Sequence, residues 1–191
     1  MERTLVLVKP DGVRRALVGT VISRFEQRSL KVVALKMTKP ALEHIDSHYP
    51  KDEAWVKRLG QKGFKSFAEL GMDPKEAMGT EDEHEAGQMV REWLMSYMTE
   101  APIIAMVVEG IHAVEMVRKI VGNTLPSKAD IGTIRGDFSV DSSAAANVAK
   151  RAIKNLVHAS ETIDEAKHEI THWFSEEEIY EYQRADESAM Y

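Results

Sequence analysis

Leu5-Val6-Leu7-Val8, followed at once by Lys9-Pro10-Asp11-Gly12, is the stretch on which the fold turns. The four apolar residues are consecutive rather than alternating, as in a strand covered on both faces, and the proline and glycine after them close it with a turn. Working outward, Val18, Val21, Ile22 and Phe25 follow helical spacing, and Leu30 to Met37 returns to an extended, β-branched composition. The chain therefore opens β, α, β. Pro40 suits a helix start, and Leu42, Ile45 and Tyr49 continue it at steps of three and four. Met89, Trp93, Leu94 and Tyr97 predict a further helix, and Ile103 to Val108, introduced by Pro102, is the most apolar strand. Val114, Val117, Ile120 and Val121 read as helix with Gly122 as its stop, and Ile131 to Val140 predicts a last strand interrupted by glycines.

Two βαβ units with right-handed crossovers, docked antiparallel, give an α/β fold of the ferredoxin-like split βαβ kind: a four-stranded antiparallel sheet with helices around it. Two stretches fall outside this economy. Residues 50–88 are charged and carry five glycines, and residues 141–154 are rich in Ala, Ser and Lys, with helix formers from Ala144 to Ile153. Both read as insertions into one domain spanning residues 1–191. A chain of 191 residues, 43% hydrophobic, can bury one sizeable core. It has no cysteine, which excludes a disulfide framework, a thiolate zinc site and a cysteine nucleophile. The first apolar run is too brief for a secretory segment or a membrane span, so a cytoplasmic protein with no membrane partner is expected. A net charge of −6 argues against specific nucleic-acid binding and requires any phosphate site to be local.

Asn155-Leu156-Val157-His158-Ala159-Ser160 lies after the last predicted strand and before a strong helix, where scaffolds present functional side chains. Phosphoryl transfer needs clustered positive charge and a positioned nucleophile, because its catalysis is mostly positioning and electrostatics. Lys9 at a strand end, Arg118 near a helix end and Arg135 between glycine-rich neighbours supply the charge, and His158 is the candidate nucleophile.

Here the sequence resembles the nucleoside diphosphate kinase family across nearly the whole chain outside the two insertions. Glu2-Arg3-Thr4-Leu5 with Val8-Lys9-Pro10-Asp11-Gly12-Val13 looks like the family's first strand and lysine. Gly132-Thr133-Ile134-Arg135-Gly136-Asp137-Phe138 looks like its fourth strand, and Asn155 to Ser160 like its active-site signature. The resemblance implies ping-pong transfer of the γ-phosphate from ATP or another nucleoside triphosphate to a nucleoside diphosphate, through a phosphohistidine on His158. It implies that Lys9, Tyr49 and Asn155 contact ribose or the transferring phosphate, and that Arg118, Thr124 and Arg135 bind the other phosphates. Glu169, with Ser160 as its hydrogen-bond partner, would orient the imidazole. Mg2+ would enter on the nucleotide phosphates, and the chain would form a homo-oligomer, a hexamer or a tetramer built from dimers.

The match is not complete. Glu161 and Thr162 stand where the family's signature usually continues with aspartate. The aromatic residue that stacks on the base falls in the first insertion, with Val90, Trp93, Phe64 and Phe67 as candidates of uncertain alignment. His168-Glu169-Ile170-Thr171-His172 spells a zinc-protease motif. Helical stepping, however, puts Ile163, Ile170 and Phe174 on one face and both histidines on the opposite one, with Glu169 at the apolar margin. Arg135-Gly136-Asp137 also spells an adhesion motif whose simplest reading is structural, and the charged run from Lys75 to Glu85 reads as a solvated face. The non-enzymatic alternative is a nucleotide-binding or scaffolding homologue.

Overall fold

The opening apolar run is the second half of a longer strand. In the computed structural model, which describes residues 1–69 and 71–190, β1 spans Glu2–Val8 and is followed by a short helix α1 at Pro10–Arg14. The Lys9 to Gly12 turn is thus the first turn of a helix, with Pro10 at its start, where a missing N–H costs nothing. The chain continues through α2 (Val18–Glu26), β2 (Lys31–Thr38) and four helices: α3 (Leu42–His48), α4 (Glu53–Glu69), α5 (Pro74–Met78) and α6 (Glu83–Thr99). It ends through β3 (Ile103–Gly110), α7 (Ala113–Val121), α8 (Ile134–Phe138), α9 (Ser143–Val148), β4 (Val157–Ala159), α10 (Ile163–Trp173) and α11 (Glu187–Met190). These elements fall into two units. The first comprises Met1–Lys39, Pro102–Ser139 and Asn155–Tyr191; the second comprises Pro40–Ala101 and Val140–Lys154.

The first unit holds the four-stranded sheet in the order β2-β3-β1-β4, with every neighbouring pair antiparallel. Because successive side chains alternate, Val6 and Val8 share one face with Met106, Ile104, Val157 and Ala159, against Val21 and Phe25 of α2 and Val117 and Val121 of α7. Each such fully buried aliphatic side chain contributes about 1.5–3 kcal/mol. The opposite face carries Leu5, Leu7, Ala105 and Val107, and α10 packs there on β1, so helices cover both faces. At one end of that face Glu109 of β3 bridges Arg3 of β1 at 2.7 Å and Lys31 of β2 at 2.8 Å. The outer edge of β2 receives the chain's last segment, where the Tyr180 amide donates to the Val33 carbonyl at 2.8 Å.

The last strand is not where composition placed it. Residues 131–140 hold the five-residue helix α8 and no strand: the Thr133 side chain caps it by accepting from the Gly136 amide, and Asp137 accepts from the Gly132 amide at 2.6 Å. Arg24 of α2 also pairs with Asp137. The fourth strand is Val157–Ala159, so His158 sits within the sheet and not in a loop beyond it.

The second unit is helical. Residues 50–88, set apart by composition, form α4, α5 and the start of α6, and the expected alanine-rich helix is present as α9. Phe67, Met78 and Ala86 form a core here, joined by Phe64, Met89, Val90 and Trp93. The two 17-residue helices α4 and α6 meet through backbone. A Cβ on Gly60 would lie 1.8 Å from the Glu83 carbonyl oxygen, and one on Gly87 would lie 2.0 Å from that of Val56. Alanine in a helix interior ordinarily adds about 0.5–1 kcal/mol over glycine. Here Gly60→Ala and Gly87→Ala are each expected to reduce stability by about 2 kcal/mol, because the helices must move apart. Denaturant unfolding of the two variants measures this, and a gain in stability would contradict the close α4–α6 contact.

Candidate active site

The site grows from the junction between the end of β1 and the start of β4. The Lys9 amide donates to the Leu156 carbonyl at 2.8 Å, and the Leu156 amide donates to Asp11 Oδ2 at 3.2 Å. Both peptide groups of Leu156 are thereby held against the first turn of α1, and its φ is +68°, left-handed for a branched side chain. Its neighbour Asn155 faces the lysine: Lys9 Nζ donates to Asn155 Oδ1 at 2.8 Å, while Asn155 Nδ2 donates to the Thr124 carbonyl at 3.0 Å. Arg135 runs beneath, donating to the carbonyls of Asn155 at 3.1 Å, Gly122 at 2.9 Å and Val157 at 2.7 Å. Burial pushes the Lys9 ammonium down to about 7; the Arg135 charge pushes the same way, and Asp11 partly offsets both.

His158 stands opposite Leu7 in the β1–β4 pairing, on the face where α10 packs. Its Nε2 lies 2.8 Å and 3.0 Å from the two carboxylate oxygens of Glu169, one helix over. Glu169 is 3% exposed, and a carboxylate so buried needs hydrogen-bond donors. Ser160 supplies another: its hydroxyl donates to Glu169 Oε2 at 2.6 Å and accepts from the Leu5 amide at 3.3 Å. A carboxylate at Nε2 favours the tautomer with the proton on that nitrogen, which leaves the lone pair on Nδ1. The His158 side chain retains 20% exposure, so the ring is held by the protein yet reachable. A fixed imidazole with its lone pair on Nδ1, on a strand whose start is held by Lys9 and Arg135, is equipped for nucleophilic attack on an electrophile carrying negative charge.

Lys9, Thr124, Arg135 and Asn155 are thus linked in one network, and His158, Ser160 and Glu169 in another, the two joined by consecutive residues of one strand. Arg118 makes its ion pair elsewhere, with the exposed Glu161 at 3.6 Å, and lines an open cleft of about 800 Å³ with Glu2, His112 and Asn123. Tyr49 belongs to the second unit, where its ring stacks with Trp55 at 6.1 Å between centroids. The four candidates for a base-stacking residue, Phe64, Phe67, Val90 and Trp93, all take part in the core of the second unit. On α10, His168 is exposed and Glu169 is buried, as helical stepping requires; His172 is instead half-buried, edge-on to the Trp173 ring at 5.9 Å, and Ile163, placed on the apolar face, is 50% exposed in the first turn. Asp11 was missed because Asp-Gly after proline reads as a turn. Leu156 was missed because no feature of a leucine announces a positive φ.

Comparison with known proteins now bears on this arrangement. The sequence profile described as nucleoside diphosphate kinase matches residues 2–58 and 52–179. The nucleoside diphosphate kinase of Pyrobaculum aerophilum is 50% identical over 181 residues, 95% of this chain and 99% of that one. That of Archaeoglobus fulgidus is 39% identical over 191 residues, covering 100% of this chain and 98% of its own. The crystal structure of an NDP kinase from Pyrobaculum aerophilum superposes with a TM-score of 0.92 at 49% identity, over 94% of this chain and 99% of that one. The nucleoside-diphosphate kinase from Borrelia burgdorferi, solved as a transition-state mimic with vanadate and ADP, superposes with a TM-score of 0.78 at 35% identity, over 98% of this chain and 95% of that one. With its antiparallel β2-β3-β1-β4 sheet, its carboxylate-bound histidine and this match along almost its whole length, the chain belongs to the nucleoside diphosphate kinase family.

Proposed function

We propose that this chain transfers the γ-phosphoryl group of a nucleoside triphosphate to a nucleoside diphosphate through His158. The observation that carries this reading is the bond of His158 Nε2 to the buried Glu169 carboxylate, which also accepts from Ser160. In the first half-reaction Nδ1 attacks the γ-phosphorus, the N–P bond forms as the bond to the β–γ bridging oxygen breaks, and the nucleoside diphosphate leaves with both electrons. The ring gains positive charge, and the Glu169 carboxylate stabilises it. In the second half-reaction a terminal oxygen of an incoming nucleoside diphosphate attacks the same phosphorus and His158 is restored.

On this reading Lys9 meets the transferring phosphoryl oxygens together with Asn155, and the bond of its ammonium to Asn155 Oδ1 supports the pairing. Arg135, already committed to three carbonyls, acts through its fixed charge while it holds the start of β4. Arg118 and the exposed Thr124 suit the outer phosphates, since an exposed pair such as Arg118–Glu161 is weak and easily exchanged. Asp11 and Glu169 already accept hydrogen bonds from the protein, which fits Mg2+ carried on the nucleotide phosphates as part of the substrate. Among the described residues no helix is long and apolar enough to cross a membrane, and we place the enzyme in the cytoplasm as a homo-oligomer, hexameric or tetrameric. Residues 50–88 and 141–154 are insertions into a single kinase domain on this reading. The family profile matches in two overlapping pieces, residues 2–58 and 52–179, which meet at the start of the first stretch.

Incubation with a γ-labelled nucleoside triphosphate is expected to load one acid-labile phosphoryl group, which chases to any added nucleoside diphosphate. His158→Asn abolishes loading, and Glu169→Gln slows it about a hundredfold by removing the charge that orients and stabilises the ring. Loading of a folded His158→Asn protein would refute the assignment.

The low Lys9 value has a consequence of definite sign. Its folded-state value lies below the unfolded one, so the buried ammonium opposes folding below about 7, and stability from this group rises as pH climbs from there. About one pH unit above that value the side chain is mostly neutral in the nucleotide-free protein, and binding a polyphosphate is expected to take up about one proton; about one unit below, uptake vanishes. Calorimetric titration in buffers of different ionisation heat measures this against Lys9→Arg, which stays charged. Equal proton uptake by the two proteins would contradict the assigned role of Lys9.

A further inference from the structure

We infer that Asp11 is a positioning residue for the transfer reaction, acting by holding Leu156 in its left-handed conformation at the entry to the nucleophile's strand. The inference deepens the proposed function and rests on it. Asp11 is 8% exposed, and its carboxylate accepts the Leu156 amide at 3.2 Å. A carboxylate in the first turn of a helix ordinarily serves that helix's own amides or its dipole. Here α1 is five residues long, its N-cap position is Lys9, and the Asp11 side chain reaches 145 residues along the chain instead.

What it reaches is a strained link. Leu156 at φ +68° carries a branched side chain where glycine would be at ease, and its own side chain is fully buried, so glycine there would leave a cavity. The backbone is instead pinned by Asp11 at the amide and by the Lys9 amide at the carbonyl, while the Val157 amide closes a strained three-residue turn across Leu156 onto the Asn155 carbonyl at 2.8 Å. Backbone in such a region persists only when its surroundings over-determine it. Relaxing Leu156 toward an ordinary φ turns the peptide groups on either side of it. Upstream that moves Asn155, the partner of Lys9 Nζ and of the Thr124 carbonyl. Downstream it moves a strand of only three residues whose middle one is His158. The imidazole must lie within a few tenths of an ångström of its attack geometry, and misplacing a reacting group by about 1 Å costs about a hundredfold in rate. On this reading Asp11 acts on the reaction through Leu156, whose amide its carboxylate accepts.

The role belongs to the acceptor oxygen and not to the charge, and this separates it from simple electrostatic tuning of Lys9. Asp11→Asn keeps an oxygen in the same place and is expected to load His158 from a γ-labelled nucleoside triphosphate within about threefold of wild type. Asp11→Ala, which removes the acceptor, is expected to load about tenfold to a hundredfold more slowly in a single turnover at saturating nucleotide, with nucleotide affinity changed by less than about threefold. If Asp11→Ala does not fold, Asp11→Ser, whose hydroxyl stops one bond short of the Leu156 amide, serves in its place with the same expectation. Folded variants that all load at the wild-type rate overturn the inference, and so does an equal loss in Asp11→Asn and Asp11→Ala, which would assign the effect to charge. A wild-type chain that takes no phosphoryl group on His158 instead refutes the parent function, and the positioning role falls with it.

Discussion

A carboxylate taken out of water must find its donors inside the protein, and Glu169 finds them in His158 and Ser160. That requirement joins α10 to β4. It also joins β4 to β1, because the Ser160 hydroxyl that donates to Glu169 accepts the Leu5 amide. With only three residues, β4 offers few ladder bonds of its own, so its place at the sheet edge depends on these side-chain links and on Arg135, which binds the carbonyls of Asn155 and Val157. The contacts that fix the histidine chemically are therefore the same ones that hold its strand in the fold.

A division of labour among the cations follows from burial. Arg135 is almost wholly buried and spends its guanidinium on carbonyls, so its charge is permanent and immobile. Lys9 is equally buried but titratable, and burial together with the Arg135 charge destabilises its ammonium. Arg118 is exposed and loosely paired. On the proposed function, fixed, adjustable and mobile positive charge would serve in turn as constant support at the reacting phosphorus and as exchangeable grip on what enters and leaves.

Much of this was legible in the chain. β1 and β3 declare themselves as unbroken apolar runs because they are covered on both faces, and α2 and α7 by their helical spacing. His158 and Glu169 came from motif and periodicity together. Helical stepping put Glu169 at the apolar margin and His168 outside, and burial agrees. The misreading of residues 131–140 has a physical cause. Ile131, Thr133 and Ile134 have the composition of a strand, but Thr133 acts as a helix cap and Ile131 is almost fully exposed, so local hydrogen bonding outweighed intrinsic preference. A threonine followed four residues later by Asp137 was a signal that could have found α8. β4 is too short to show any period, and the tight turn at Leu156, though closed locally from Val157 to Asn155, is held by long-range bonds from Asp11 and Lys9 that no local pattern encodes.

The claim on which everything else rests is that the tautomer set by Glu169 leaves Nδ1 of His158 as the attacking atom. Phosphorus NMR of the chain labelled with 15N in histidine, recorded after mixing with a nucleoside triphosphate and magnesium, tests it directly. The expected result is a single phosphohistidine resonance coupled to Nδ1, absent from His158→Asn. Coupling to Nε2, or a phosphoryl group on any other residue, would contradict it.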